Sequence, residues 1–197
     1  MALQLVWFKK DLRLQDHAPL LQAAARGPVL CQYVYEPELY GADDFDPCHL
    51  VFINQSLTEL AREIEALGGR LMMLHSPMPE ALETLYSQQP FEALWSHEET
   101  GNDRSYQRDR RVAAWCRNRG LCWHEIPQTG VVRRLGNRDD WSRYWKQRMN
   151  RPVLPAPERL VAPAIDGVAS CGLRFPKDLG LPDSTKIRAL SGGSSRA

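Results

Sequence analysis

Apolar residues dominate short runs at residues 3–8, 29–35, 71–74, 91–96 and 121–126. Runs of this length, bounded by charge, glycine or proline, read as buried strands. Between them the apolar spacing turns helical. The clearest stretch places Leu50, Ile53, Leu57, Leu60, Ala61, Ile64 and Leu67 on one face, with Asp46 as the cap, Pro47 in the first position and Gly68–Gly69 as the stop. Further helices are predicted from Asp16 as a cap through Ala25, around residues 80–86, and over residues 105–119. The acidic, aromatic stretch 36–46 reads as a loop. Continuous apolar strands alternating with helices predict an α/β fold. It is a Rossmann-like, doubly wound, five-stranded parallel sheet with helices on both faces, complete by about residue 127.

Beyond that point the pattern changes. Residues 140–149 predict one more helix, with Trp141, Tyr144, Trp145 and Arg148 on one side. The remainder holds Pro152, Pro155, Pro157, Pro163, Pro176 and Pro182 and no core of its own, so it is a linker or a strap. The division expected is residues 1–130 as the α/β domain, 131–165 as a basic helical extension packed on it, and 166–197 as a linker or tail.

Composition adds little to the fold but excludes several classes. With 43% hydrophobic and 25% charged residues among 197, the chain is ordinary globular material. No apolar run approaches the roughly 20 residues of a membrane span, and the N-terminus lacks a signal-type segment. The five cysteines form no C-x2-C pair and read as small hydrophobes in a reducing compartment. A cytoplasmic protein is expected. Charge, in contrast, is uneven: residues 1–103 carry a net −10 and residues 104–151 a net +9. The basic block suits either a phosphate or acidic partner, or a solvated helix face.

Several chemistries are missing. There is no G-x-x-x-x-G-K-[ST], no G-x-G-x-x-G after the first strand and no G-x-S-x-G. His97-Glu98-Glu99 and His124-Glu125 fall short of H-E-x-x-H and read as hydrogen-bonded or solvated histidines. What remains is position, because open α/β sheets bind ligands at the carboxyl ends of their strands. Those ends carry Trp7, Lys9, Lys10, Asp11 and Arg13, then Tyr35 and Glu36, then His97, Glu98, Glu99 and Arg104. Rings, cations and carboxylates gathered in one crevice suit a planar, polar heteroaromatic ligand. The alternative is that Lys9, Asp11 and Arg13 form only a local ion-pair turn.

The stretch at residues 6–16, V-W-F-K-K-D-L-R-L-Q-D, resembles the opening W-F-[RK]-[RK]-D-L-R-x-x-D-N of the DNA photolyase/cryptochrome family. Residues 52–60, F-I-N-Q-S-L-T-E-L, are similar to its F-L-x-x-S-L-x-x-L helix, and Arg108-Asp109 also matches. The likeness covers about residues 3–165, the family's N-terminal α/β domain. It implies a domain that holds an antenna pigment in the crevice at Trp7, Lys10, Asp11, Arg13, Tyr35, Glu36, Glu98, Glu99 and Arg104. It further implies a helical partner domain, not found in this sequence, that binds FAD and damaged DNA and does the chemistry; no FAD is expected on this chain. Residues 191–197 resemble the G-G-x-x-A segment where that helical domain begins.

Two departures shape the expectation. His17 stands where the family has Asn, and the loop at residues 98–105, E-E-T-G-N-D-R-S, lacks the Asn-Glu pair of folate-type members. A deazaflavin or other flavin-like pigment is therefore expected ahead of folate. The alternatives are a stand-alone interaction or signalling module without a chromophore, and an adenine-nucleotide-binding domain.

Overall fold

The computed structural model describes residues 1–133, 135–165, 167–182 and 192–193. Residues 191 and 194–197, most of the segment that resembles G-G-x-x-A, lie outside the described residues. Five parallel strands form one sheet: β1 (Gln4–Phe8), β2 (Val29–Tyr35), β3 (Leu71–His75), β4 (Ala93–His97) and β5 (Cys122–Ile126). Their spatial order is β3-β2-β1-β4-β5, so the winding reverses between β1 and β4. The helices are α1 (Ala18–Ala24), α2 (Pro37–Tyr40), α3 (Pro47–Ala66), α4 (Met78–Gln88), α5 (Asp103–Asn118) and α6 (Trp141–Met149).

Side chains alternate across the sheet, which divides the core in two. Val6, Phe8, Cys31, Tyr33 and Tyr35 join Leu50, Leu57 and Ile64 of α3 on one face. Leu5, Trp7, Leu30 and Val34 join Leu82, Leu85 and Val112 of α4 and α5 on the other. Strand β5, at the edge, is only half-buried, which fits its Cys-Trp-His-Glu-Ile sequence.

Helix α3 begins and ends as its sequence predicts. The Asp46 carboxylate accepts from the Cys48 N–H at 2.8 Å, Pro47 follows, and Gly68 takes the left-handed φ of +84° at the stop. Four boundaries differ from expectation. Helix α1 is capped by His17, whose Nδ1 accepts from the Leu20 N–H at 3.1 Å. Asp16 instead turns left-handed at φ +52° and bonds Leu154 through both its N–H and its carboxylate. The stretch expected as a loop contains α2, opened by Pro37, and α5 starts at Asp103 because Asn102 caps it by accepting from the Ser105 N–H. Strand β4 starts at Ala93, two residues later than the apolar run, and reaches His97.

The proline-rich residues lie along the domain. Leu160 is buried beside α3, with its N–H on the Leu67 carbonyl, while Ile165 and Val168 are buried on the opposite face. At β3, the Cys171 N–H donates to the Met73 carbonyl and the Ser170 hydroxyl accepts from the Met73 N–H.

Candidate functional site

The reversal between β1 and β4 opens a crevice at the carboxyl ends of the strands, where open α/β sheets place their ligands. The crevice is a cavity of about 650 Å³. Its walls differ sharply in character. Leu39 and Tyr40 of α2, Phe45, and Phe52 and Ile53 of α3 make one side, apolar and aromatic. The opposite side is charged and belongs to the ends of β1, β2 and β4 and to the first turns of α5.

Arg108 organises that charged side. It projects from α5 with only 3% of its side chain exposed. Its guanidinium donates to Glu36 Oε1 at 2.6 Å, to Asp109 Oδ1 at 2.9 Å and to Glu99 Oε2 at 3.4 Å. It also stands 4.6 Å from the centre of the Trp7 ring. Lys9 approaches the same ring, its Nζ 4.3 Å from the centroid, and reaches Asp109 at 3.4 Å and the His97 carbonyl at 3.2 Å. Trp7 is thus held by two buried cations, with cation–π attraction to each.

Burial sets the protonation of this cluster. Glu36 is pushed up to about 7, since desolvation outweighs the pull of Arg108. Burial also raises Glu99, but Lys10, Lys9 and Arg108 together hold it below the usual carboxylate range. Desolvation lowers Lys9 against the opposing pull of Asp109. One cavity wall therefore carries a carboxyl poised near neutrality beside another that stays ionised.

Of the nine residues predicted for a site, five come together here: Trp7, Lys10, Arg13, Glu36 and Glu99 line the cavity. Lys10 lies at its mouth, with its side chain 74% exposed and Nζ 3.4 Å from Glu99. The Arg13 guanidinium donates to the carbonyls of Gln15 and Asp16, both at 3.1 Å, and so fixes its own loop. The other four lie off the cavity wall. Tyr35 is buried on the α3 face of β2, packed on Tyr33 and Tyr40 and donating to Asn54 Oδ1 at 2.7 Å. Arg104 is exposed on α5, and Glu98 is half-buried with its N–H on the Ile126 carbonyl.

Asp11, the fourth, is buried beneath the loop after β1. Its Oδ2 is 2.5 Å from His97 Nδ1 and 2.9 Å from His17 Nε2, and its Oδ1 accepts from the Lys9 N–H at 2.7 Å. Burial opposes its charge, yet the two imidazoles hold the carboxyl well below its ordinary value. The ligand atoms of this trio lie within 4.8 Å of one another, a spacing that could suit a metal ion. The hydrogen bonds argue otherwise. His17 Nδ1 already accepts from Leu20, so its proton sits on Nε2 and faces Asp11. Metal binding at Nε2 would require an imidazolate. The trio is a buried polar lock: the His97–Asp11 hydrogen bond ties the loop after β1 to β4, and His17, the cap of α1, sets its Nε2 2.9 Å from the same carboxylate. His97 is thus hydrogen-bonded, as its sequence context predicts, while His124 stacks on Trp95 with ring centres 3.9 Å apart.

Sequence reasoning misses the apolar wall entirely. Tyr40 and Phe45 lie in a stretch that reads as a loop, and Phe52 sits on a helix whose periodicity reports only its core face. Arg108 enters only through a family match, and Lys9 only as a strand-end charge.

The model of the family described as DNA photolyase matches residues 4–136. The chain belongs to the DNA photolyase family. It corresponds to the N-terminal α/β domain of that family. Among curated relatives, cryptochrome DASH of Gloeobacter violaceus is 29% identical over 116 residues, covering 55% of this chain and 23% of the relative. Among solved structures, the Synechocystis cryptochrome superposes with a TM-score of 0.78 at 21% identity, over 97% of this chain and 43% of that one. An archaeal photolyase from Sulfolobus tokodaii gives 0.72 at 17% identity, over 94% and 43%. The chain spans about a quarter of the length of the first of these relatives. Among the described residues no helix is long and apolar enough to cross a membrane.

Proposed function

We propose that the cavity holds a planar antenna pigment, a deazaflavin or other flavin-like molecule in preference to folate, and that the chain serves a light-driven photolyase or a cryptochrome. The observation that carries this reading is the two-sided cavity, with an aromatic wall facing a buried Arg108–Glu36–Glu99 cluster. Rings on one side supply stacking area; the charged side offers donors and acceptors for the polar edge of a heterocycle. Members of this family bind flavin and antenna chromophores, and the Sulfolobus photolyase was solved with two FAD molecules, which imply a novel light-harvesting cofactor in that protein.

In this reading Trp7, Lys10, Arg13, Glu36 and Glu99 contact the pigment, with Tyr40 and Phe52 opposite. Such a pigment would supply light absorption. The protein's own contribution is to exclude water, orient the ring system and present a near-neutral carboxyl at Glu36. Residues 1–130 form the pigment-holding unit, 131–165 a basic extension, and 166–197 the path toward an FAD-binding helical domain that would act on damaged DNA. Five unpaired cysteines suit a reducing compartment such as the cytoplasm.

The test is an absorption and fluorescence titration of the purified chain with riboflavin 5′-phosphate, a 5-deazaflavin and a reduced folate. Saturable binding of either flavin-type ligand, weakened at least tenfold by Phe52→Ala, is expected. Tighter binding of folate would overturn the pigment assignment, and no binding of any of the three would overturn the whole reading.

A further inference from the structure

Two stretches that resemble family motifs lie far apart in the chain: residues 52–60, on α3, and residues 191–197. Gly192 and Gly193, the described residues of the second stretch, rest directly on the first. The Gly192 N–H donates to Gln55 Oε1 at 2.6 Å, and the Gly193 N–H donates to Ser56 Oγ at 3.1 Å. Ser56 is prepared for this contact. Its hydroxyl donates to the Phe52 carbonyl at 3.0 Å, which leaves the oxygen lone pairs for the Gly193 N–H.

Both positions admit only glycine. A Cβ on residue 192 would collide with the Phe52 carbonyl oxygen, and one on residue 193 would collide with the Glu59 carboxylate. Gly193 also takes φ +122°, a conformation that glycine alone adopts without strain. With no side chains in the way, the backbone lies against α3 and both glycines are buried. Gly193 does more than dock, because it lines the cavity beside Phe52, Ile53 and Ser56. Phe52 and Ser56 therefore serve two neighbours: they line the cavity, and they form the bed on which the glycine pair rests. Two hydrogen bonds are of the same order as the conformational entropy lost by two ordered glycines, so this docking is closely balanced and easily tipped.

We propose that Gly192–Gly193 is a latch that completes the cavity wall: a planar ligand in the cavity holds the glycine pair on α3, and the docked pair holds the ligand. This inference rests on the cavity being the pigment site. It links two places in the molecule, because occupancy of the cavity sets whether the chain leaves the domain from the surface of α3. Such a link is reciprocal: the factor by which the ligand favours docking is the factor by which docking favours the ligand.

The full chain is labelled with nitrogen-15 glycine, and amide exchange is followed by nuclear magnetic resonance with and without saturating riboflavin 5′-phosphate. Exchange at Gly192 and Gly193 should slow by about fivefold or more on saturation, while Gly120, outside the cavity, stays unchanged. Gly193→Ala and Ser56→Ala should each speed exchange at Gly192 in the ligand-free chain and weaken flavin binding by a similar factor. Circular dichroism checks the fold of both, and Gly193→Ala carries the test should Ser56→Ala fail to fold. Flavin binding that leaves exchange at both glycines unchanged, or that Gly193→Ala leaves as tight as before, would overturn the latch alone. Absence of flavin binding would overturn the latch together with the pigment assignment.

Discussion

Arg108 donates to Glu36 at 2.6 Å and so joins the first half of α5 to the end of β2 under one wall of the cavity. The two lie 72 residues apart in the chain, and both are buried where water cannot replace a lost partner. Removing the guanidinium would leave Glu36, Glu99 and Asp109 as neighbouring buried carboxylates. Arg108→Met should therefore cost about 3–5 kcal/mol. Chemical denaturation of the variant against the parent measures this; a loss below about 1 kcal/mol would show that the cluster relaxes around the gap.

Glu36 gives that cluster a pH dependence. Its carboxyl titrates at about 7 in the folded chain and near 4.5 when unfolded, so between those values the folded state holds the extra proton. Stability contributed by that proton is complete below pH 4.5 and is lost as pH rises toward 7. The span corresponds to at most about 3 kcal/mol. Glu36→Gln should flatten this part of the stability profile between pH 5 and 7.5, as read from urea midpoints across the range. An unchanged slope would place the titrating group elsewhere.

Asp11 works in the opposite sense. Its carboxyl is held well below the ordinary value, so its stabilisation is present above about pH 4 and fades as acid protonates it. Asp11→Ala should cost about 3 kcal/mol at neutral pH, by leaving His17, His97 and the Lys9 N–H without their acceptor. The difference between parent and variant should shrink below pH 4, a convergence that acid denaturation followed by circular dichroism will reveal.

Leu160 fastens the proline-rich residues to α3, with its side chain against Gly69 and Ile64. Leu160→Ala should cost about 2–5 kcal/mol. Gly69→Ala should also destabilise, since its new Cβ would meet Leu160 and Ile64 at 2.8 Å. Combined in one chain, the two changes should cost less than their sum, because the smaller residue at 160 makes room. Strict additivity in thermal melts would mean the two sites do not share that contact.

Much of the fold is legible because single residues announce it. Asp46–Pro47 and Gly68 bracket α3 by chemistry that acts within a few residues, and five apolar runs mark five strands. The start of α1 misleads because Asp16 is the better capping residue by type. Its left-handed turn, tied to Leu154 from 138 positions away, is invisible to any local rule. The site is legible only at the strand ends. Trp7, Glu36 and Glu99 follow from the topology, but Tyr35 is taken up in the core by Tyr33, Tyr40 and Asn54, contacts that no local rule foresees. The pairing of Arg108 with Glu36 and the lock between Asp11 and His97 join residues 72 and 86 positions apart. Nothing in periodicity or composition encodes them.

The bonds that Ser170 and Cys171 make to Met73 have an outcome beyond anchoring. β3 is the outermost strand on its side, and an outermost strand offers its free amides and carbonyls to any extended chain that drifts past. Ser170 and Cys171 occupy the Met73 positions and deny that side of the sheet to a second molecule. The proline-rich residues thus behave as a selvedge, a finished border that keeps the weave from running into its neighbour. A version of this chain ending near residue 150 would lose that border and should form clumps with cross-strand character well before its core unfolds.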